Sequence, residues 1–183
     1  DSKCYFGIDF AGFELQKRQY KIYSQSNSLR GTIAYALARL SGLKKNEILL
    51  DPFAGDGAIL IEAALYAYGM SPNFYSKDKF LFTRLNDFRD SKKMLEKLDM
   101  LEQILEPSSV STPRISAPPA VEKPSSKSRI IGFDSMFKHV DYSRKNAKIA
   151  GVHDLIKLSR VEMGWLDFKF KGKSIDRIAT KLP

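Results

Sequence analysis

The stretch "LLDPFAGDGAILIEAALYA", residues 49 to 67, constrains the fold more than any other part of the chain. "EILLD" predicts a short buried strand, and Ala58 to Tyr68 predicts a helix closed by Gly69. Gly55 and Gly57 lie in the turn between them, where glycine lets the backbone approach a ligand closely. The helix N-terminus that follows offers unpaired N–H groups. This order predicts a ligand crevice at the carboxyl edge of a parallel sheet.

Strands and helices alternate along the rest of the chain. "RIIGFD" predicts a second strand, and Met136 to Ala150 predicts a helix closed by Gly151. "DLIKLS" and "SIDRIAT" predict two further strands. The alternation is typical of an α/β fold with a parallel sheet.

The chain before the first strand predicts a helix and a connector. Apolar residues recur at helical spacing after Ser28, which can cap the helix that Gly42 ends. These residues are Leu29, Ile33, Leu37 and Leu40. Residues 1–27 contain "KCYFGIDFAG" and "QYKIYS", whose aromatic and β-branched residues predict two short strands. We therefore expect residues 1–27 to form a strand or hairpin connector.

Residues 70–128 interrupt the alternation and are interpreted as an insertion. "DSKKMLEKLDMLEQILE" predicts a helix with an apolar stripe, which packs in the core or docks a partner or RNA. The stripe consists of Met94, Leu98, Leu101 and Leu105. Residues 107–128 are rich in proline and serine and have no aromatic residue, so we expect a disordered loop there.

The turn after the first strand favours a nucleoside-like ligand. It has neither a third spaced glycine nor a Gly-Lys-Ser/Thr ending, so it disfavours a nucleoside triphosphate. The second strand ends in Asp134, a carboxylate that can accept two ribose hydroxyls. We expect a charged ligand tail near the glycines and a ribose at Asp134.

Composition indicates the partner and limits the chemistry. A net charge of +9 favours a polyanion, and basic residues outnumber the single acid Glu14 between residues 14 and 45. They are Lys17, Arg18, Lys21, Arg30, Arg39, Lys44 and Lys45. Cys4 is alone, and His139 and His153 lack partners at ligand spacing, so we expect no disulfide and no metal. We read the protein as cytoplasmic, with no membrane span and no secretory signal.

Three segments resemble one known family. "DPFAGDGAILIEAAL" is similar to the first motif of class I S-adenosylmethionine-dependent methyltransferases, in the form found in THUMP-associated RNA guanine methyltransferases. "GIDFAGFELQKRQYKIYSQSNSLRGTIAYALARLSG" resembles the family's "LxKRxY" segment and the helix that ends in "LSG". "GFDSMFKHVDYSRKNAKIAGV" resembles its second motif. The resemblance implies a Rossmann-like sheet with helices on both faces over residues 28–183, and S-adenosylmethionine as the cofactor.

The resemblance also implies roles for individual residues. Residues of the first motif would line the methionine end of the cofactor, with Asp51 near its ammonium: Asp51, Phe53, Ala54, Gly55 and Gly57. Asp134 would hold the ribose. The third motif falls on "VEMGWL", where Glu162 would accept from the adenine amino group and Met163 would flank the ring. Val161 replaces the family's glycine there.

The fourth motif departs from the family, which has Asn or Asp, two prolines and an aromatic residue after the strand. The corresponding catalytic positions here are Lys181, Leu182 and Pro183. Lysine has no acceptor for the amine that is methylated. The sheet also ends at its fourth strand, and neither a THUMP module nor the aromatic residue is present, so we expect a partial domain. Transfer to an exocyclic amine requires positioning rather than a metal or general base.

The expected function is a methyltransferase domain that modifies the exocyclic amine of guanine in RNA, in particular tRNA. One alternative is a DNA adenine amino-methyltransferase, which shares the first and fourth motifs. The other is a catalytically inactive, methyltransferase-like RNA-binding subunit, which Lys181 favours.

Overall fold

The computed structural model places a parallel sheet at the centre of the molecule. It describes residues 3–44, 46–73, 79–85, 90, 93, 96, 130–165, 170 and 174–182. The strands are β1 (Leu49–Asp51), β2 (Ile130–Asp134), β3 (Ile156–Arg160) and β4 (Arg177–Ile178). All pairs are parallel, in the order β3-β2-β1-β4. The predicted parallel α/β fold is confirmed.

Among the described residues, α2 (Ala58–Ala67) and α3 (Phe137–Ile149) pack on the sheet, and α1 (Gly31–Leu40) packs against α2. α2 lies at the centre, because every residue from Ala58 to Leu65 is buried. Its side chains join Leu49 and Ile130 in one apolar cluster, to which α1 and α3 also contribute. Leu50 belongs to a second cluster, because successive residues of a strand point to opposite faces. None of the described helices is long and apolar enough to span a membrane.

The starts of α2, α3 and the first three strands lie within two residues of the predicted starts, whereas α1 and β4 begin later than predicted. Ser28 was expected to cap α1, but the helix begins at Gly31 and Arg30 occupies the N-cap position. Ser28 instead donates its hydroxyl to Asp56 in the turn before α2. A side chain at Gly31 would collide with the side chain of Arg18, so only a shift of this buried arginine would admit one. Tertiary packing therefore decides where α1 begins.

The predicted strands of the connector are wrong, since no strand is found between residues 3 and 27, which the structure describes. The backbone groups of this segment find other partners. The carbonyls of Phe10 and Ala11 accept from the 3₁₀ turn Leu81–Arg84, and Tyr23 N–H donates to the side chain of Asn146. With these partners, no strand ladder forms.

The predicted insertion lies largely outside the described residues. Its apolar stripe and residues 107–128 lie outside the described residues. The insertion helix and the disordered loop stay predictions.

A buried ion pair ties the connector to α2. Arg18 Nε donates to Glu62 Oε1 at 2.6 Å, and the Tyr20 hydroxyl donates to the same oxygen at 2.8 Å. Burial raises the pKa of the Glu62 carboxyl, while Arg18 and Tyr20 act in the opposite direction. Both charged side chains are almost fully buried, so each depends on the other. Arg18 and Tyr20 of "KRQY" thus form one buried contact with Glu62 of "IEAA".

Replacing Arg18 with Met is expected to lower the free energy of unfolding by about 3–5 kcal/mol, because it leaves Glu62 buried without its cation. Urea denaturation at neutral pH measures the loss. Lys17→Met is the matched control, because Lys17 pairs with Glu14 at the surface and should change stability by less than about 1 kcal/mol. Equal losses in both variants would contradict the importance of the buried pair.

Candidate functional site

The turn between β1 and α2 carries the candidate site. Gly55 has φ +56° and Gly57, at the N-cap of α2, has φ +83°, angles that favour glycine. Ala54 N–H donates to the carbonyl of Phe133 in β2 at 2.7 Å, which holds the turn against the neighbouring strand. The chain therefore changes direction at the carboxyl edge of the sheet, where parallel α/β folds bind ligands.

Helix α3 supports this turn through two buried polar residues. Ser143 Oγ donates to the carbonyl of Gly55 at 2.9 Å, and Asn146 Nδ2 donates to the carbonyl of Asp56 at 3.0 Å. A Cβ atom at Gly57 would lie 3.0 Å from the Cβ atom of Ser143. Neither polar residue was predicted to contribute to the site. Their burial on a polar helix depends on how α3 packs.

Asp51 ends β1 and is only 1% exposed. Its Oδ1 accepts from the Thr180 hydroxyl at 2.6 Å and from the N–H of Phe53 at 3.1 Å. Burial raises the pKa of the Asp51 carboxyl from 3.8 to about 6, and the nearby Asp134 adds to this effect. Both hydrogen bonds from the described residues end on Oδ1, so Oδ2 keeps its capacity to accept from a cation.

Asp134 ends β2 and faces the same turn. Its Oδ2 accepts from Gly55 N–H at 3.0 Å, and its Oδ1 accepts from Met136 N–H at 2.9 Å. His139, in the first turn of α3, places Nδ1 3.1 Å from Oδ1. His139 was considered only as a metal ligand in the sequence. Its spacing from Asp134, five residues across a strand end and a helix start, is the signal that could have identified it.

These residues surround an open cavity of about 230 Å³. Its lining includes seven predicted cofactor or catalytic positions, which are Asp51, Phe53, Ala54, Gly55, Asp134, Lys181 and Leu182. Gln25 and Asn27 of the connector also line it, and the sequence did not indicate them. Among the described residues, no three His, Cys, Asp or Glu side chains are grouped to hold a metal ion.

A family model described as RMKL-like, methyltransferase domain (UPF0020) matches residues 18–183. The chain belongs to the RMKL-like methyltransferase domain family. This membership confirms the predicted methyltransferase class and, with it, S-adenosylmethionine as the cofactor of the family. The upstream THUMP module implied by the resemblance stays a prediction.

Two relatives of the RMKL-like domain modify RNA according to their names. Ribosomal RNA large subunit methyltransferase K/L of Aliivibrio fischeri (strain MJ11) is 35% identical over 84% of this chain and 20% of that protein. The tRNA (guanine(6)-N2)-methyltransferase of Methanocaldococcus jannaschii is 32% identical over 92% of this chain and 39% of that protein. The chain thus spans between a fifth and two fifths of these relatives.

Solved structures agree with the fold of the RMKL-like domain. A possible methylase from Clostridium difficile 630 has a TM-score of 0.66 and 27% identity, over 92% of this chain and 38% of that one. SMU.472, which was solved in complex with SAH, has a TM-score of 0.68 and 22% identity, over 95% and 39%. At the latter identity the likeness concerns the fold alone.

Three predicted cofactor residues of the RMKL-like domain do not line the cavity. Gly57 lies in the turn and packs against Ser143, outside the cavity lining. Glu162 and Met163 are exposed beyond the end of β3, where Met163 begins a short 3₁₀ turn. Val161 N–H donates to the carbonyl of Asp134 at 3.0 Å, so this segment lies next to the site. The adenine-binding roles of Glu162 and Met163 stay predictions.

Two of the predicted catalytic positions of the fourth motif, Lys181 and Leu182, line the cavity. Lys181 Nζ donates to the carbonyl of Asn27 at 2.7 Å, which ties the end of β4 to the connector. The neighbouring Thr180 donates to Asp51. Thr180 and Lys181 therefore connect the end of the chain after β4 to β1 and to the connector. Leu182 is exposed and lines the cavity, and Pro183 lies outside the described residues.

The predicted basic surface is smaller than the sequence implied. Arg18 is buried against Glu62, and Lys21 is largely buried, with its Nζ 3.6 Å from Asp56. Arg18 and Lys21 therefore stabilise the fold and cannot reach phosphates, although both belong to the basic residues between 14 and 45 that were expected at the surface. Arg39 lies over the ring of Tyr66, where its charge stays accessible.

Replacing Asp51 with Asn is expected to stabilise the ligand-free protein at neutral pH. The folded-state pKa of Asp51 is raised, so its stability contribution is complete below the unfolded pKa of 3.8 and is lost as pH rises through about 6. The variant should gain on the order of 3 kcal/mol at neutral pH and nothing below pH ~3.

Urea denaturation across this pH range measures the difference. Asp141→Asn is the control, because Asp141 pairs with Lys145 at the surface and should gain nothing. A gain for Asp51→Asn that does not depend on pH would contradict the assigned cause.

Proposed function

We propose that this chain binds S-adenosylmethionine in the cavity beside the glycine turn and is the methyl-transferring domain of an enzyme that modifies the exocyclic amine of guanine in RNA. The observation that carries the proposal is the pair of buried carboxylates, Asp51 and Asp134, that end neighbouring strands on either side of Gly55. Membership of a methyltransferase domain family supports it.

The donor and acceptor set of the cavity fits this cofactor. The protein as a whole carries +9, yet carboxylates, which accept hydrogen bonds and attract a cation, end both strands at the cavity, and the one lysine of the described lining, Lys181, donates to the carbonyl of Asn27. A phosphate would be repelled by Asp51 and Asp134. An ammonium, a sulfonium and a pair of hydroxyls match them.

Each part of the turn has a role in this proposal. Asp51 Oδ2 accepts from the amino-acid ammonium, the backbone from Phe53 to Gly55 forms the floor, and Asp134 binds the ribose. Glu162 and Met163 are proposed to bind the adenine from the neighbouring loop. When bound, S-adenosylmethionine supplies an activated methyl group. The protein contributes orientation and exclusion of water.

RNA is the proposed substrate class. The ribosomal RNA and tRNA methyltransferases named above are similar over most of this chain. The net positive charge supports a polyanionic partner, with exposed cations such as Lys17 and Arg39 remaining for phosphate contacts. Guanine in tRNA is the finer proposal, because the sequence resemblance implies it.

S-adenosylhomocysteine is expected to raise the melting temperature, because a ligand that binds only the native state adds about 2.7 kcal/mol of stability at 100 times its Kd. Asp134→Ala should abolish the shift by removing the ribose acceptor. Asp154→Ala is the control, since Asp154 is an exposed surface carboxylate. Calorimetry that shows equal binding to wild type and Asp134→Ala would exclude this site.

The second candidate is an inactive, cofactor-binding RNA subunit, which the position of Lys181 favours. Its Nζ offers donors only and is engaged by the carbonyl of Asn27, so the side chain provides no acceptor for a guanine amine. An ammonium at the cavity wall also disfavours the positive charge that grows on the attacking nitrogen.

The second candidate predicts that wild type binds cofactor but transfers little methyl group to unmodified tRNA, whereas the methyl-transferring domain proposed first predicts efficient transfer. Lys181→Asn, which supplies an amide acceptor, should increase transfer by on the order of a hundredfold. A tritiated-methyl assay measures this, with Lys148→Asn on the exposed face of α3 as the control.

Robust transfer by wild type would contradict the inactive candidate. Transfer to adenine-containing DNA duplexes in place of tRNA would instead favour the DNA alternative.

A further inference from the structure

Protein groups occupy almost all of the hydrogen-bond acceptor sites of the Asp134 carboxylate. Oδ1 accepts from the N–H of Met136 and contacts Nδ1 of His139, and Oδ2 accepts from the N–H of Gly55. A carboxylate oxygen has two lone pairs, so Oδ1 is full and Oδ2 can accept one more hydrogen bond. Asp134 can therefore bind one hydroxyl of a vicinal diol, but not both.

His139 provides a hydrogen-bond acceptor for the second hydroxyl of the diol. An ionised carboxylate only accepts, so the hydrogen bond to Asp134 requires the proton on Nδ1 of the ring. In the neutral imidazole this leaves Nε2 as an acceptor, and Nε2 has no partner among the described residues. The ring lines the same cavity as Asp134, and its side chain is 21% exposed.

We infer that His139 is a ribose-recognition residue, and that the ribose diol is bound jointly by Asp134 Oδ2 and His139 Nε2. The ligand class is therefore a ribonucleoside with both hydroxyls free. This inference rests on the proposed cofactor site, which it deepens.

The location of His139 suits this role. Asp134 ends β2 and His139 lies in the first turn of α3, so a short connection fixes their relative position. The Met136 N–H bond to Asp134 closes that connection. α3 is in turn anchored to the glycine turn by Ser143. The carboxylate and the imidazole thus form one rigid pair before any ligand arrives.

Ligands that lack one hydroxyl test the inference directly. S-adenosylhomocysteine, its 2′-deoxy analogue and its 3′-deoxy analogue are titrated by calorimetry into wild type and His139→Ala. In wild type, loss of the hydroxyl that His139 binds should weaken affinity about tenfold. In His139→Ala the parent ligand should bind about tenfold more weakly, and removal of that same hydroxyl should cost nothing further.

His153→Ala is the matched control, because His153 also contacts an aspartate, Asp154, but does so at the surface away from the cavity. It should bind all three ligands as wild type does. His139→Gln, with thermal melting to verify folding, covers the case in which the alanine variant unfolds. It retains a polar acceptor and should recover part of the affinity.

The outcomes separate the two proposals. If S-adenosylhomocysteine does not bind wild type, the proposed function fails. If it binds wild type but each deoxy analogue loses the same factor in wild type and in both His139 variants, the role of His139 is overturned and the proposed function stands. A hydroxyl penalty that disappears in His139→Ala but persists in wild type and in His153→Ala supports the inference.

Discussion

The left-handed turn from Ala54 to Gly57 needs hydrogen bonds from outside itself, and the described structure is arranged around those bonds. Its backbone leaves the ladder of β1 and joins α2 only at the carbonyl of Gly57, so polar groups between them require other partners. Asp134 holds it from β2, and Ser143 and Asn146 hold it from α3. Asn146 also bonds the backbone of Tyr23, which ties the connector to the same turn.

The site places acidic groups where burial is costly. Asp51 would be more stable in the fold as a neutral side chain, since its pKa is raised to about 6. A buried carboxylate at a cavity wall is typical of a site shaped for a cationic ligand, whose charge offsets the burial. Thr180, two residues after β4, lowers the cost of burial by donating to Oδ1 of Asp51. The carboxylate of Asp51 therefore favours binding of a cationic ligand and lowers the stability of the ligand-free protein.

Much of the fold and part of the site could be predicted from local pattern. β1, α2, β2 and α3 lie within one or two residues of their expected bounds, because apolar periodicity and closing glycines act over short distances. Asp51 and Asp134 meet because neighbouring parallel strands end at the same edge. His139 was not foreseen, because its approach to Asp134 depends on how α3 is rotated against the sheet.

The sequence by itself determined the alternation of strands and helices, the glycine turn and the acids that end two strands. Each of these depends on residues that are neighbours in the chain. Only the tertiary structure decided which polar side chains are buried and with which partners. Arg18, counted as a surface cation, meets Glu62 across 44 positions of sequence, and Ser28 bonds Asp56 instead of capping α1. A buried polar group must find a partner wherever packing provides one, and that partner is set by distance in space.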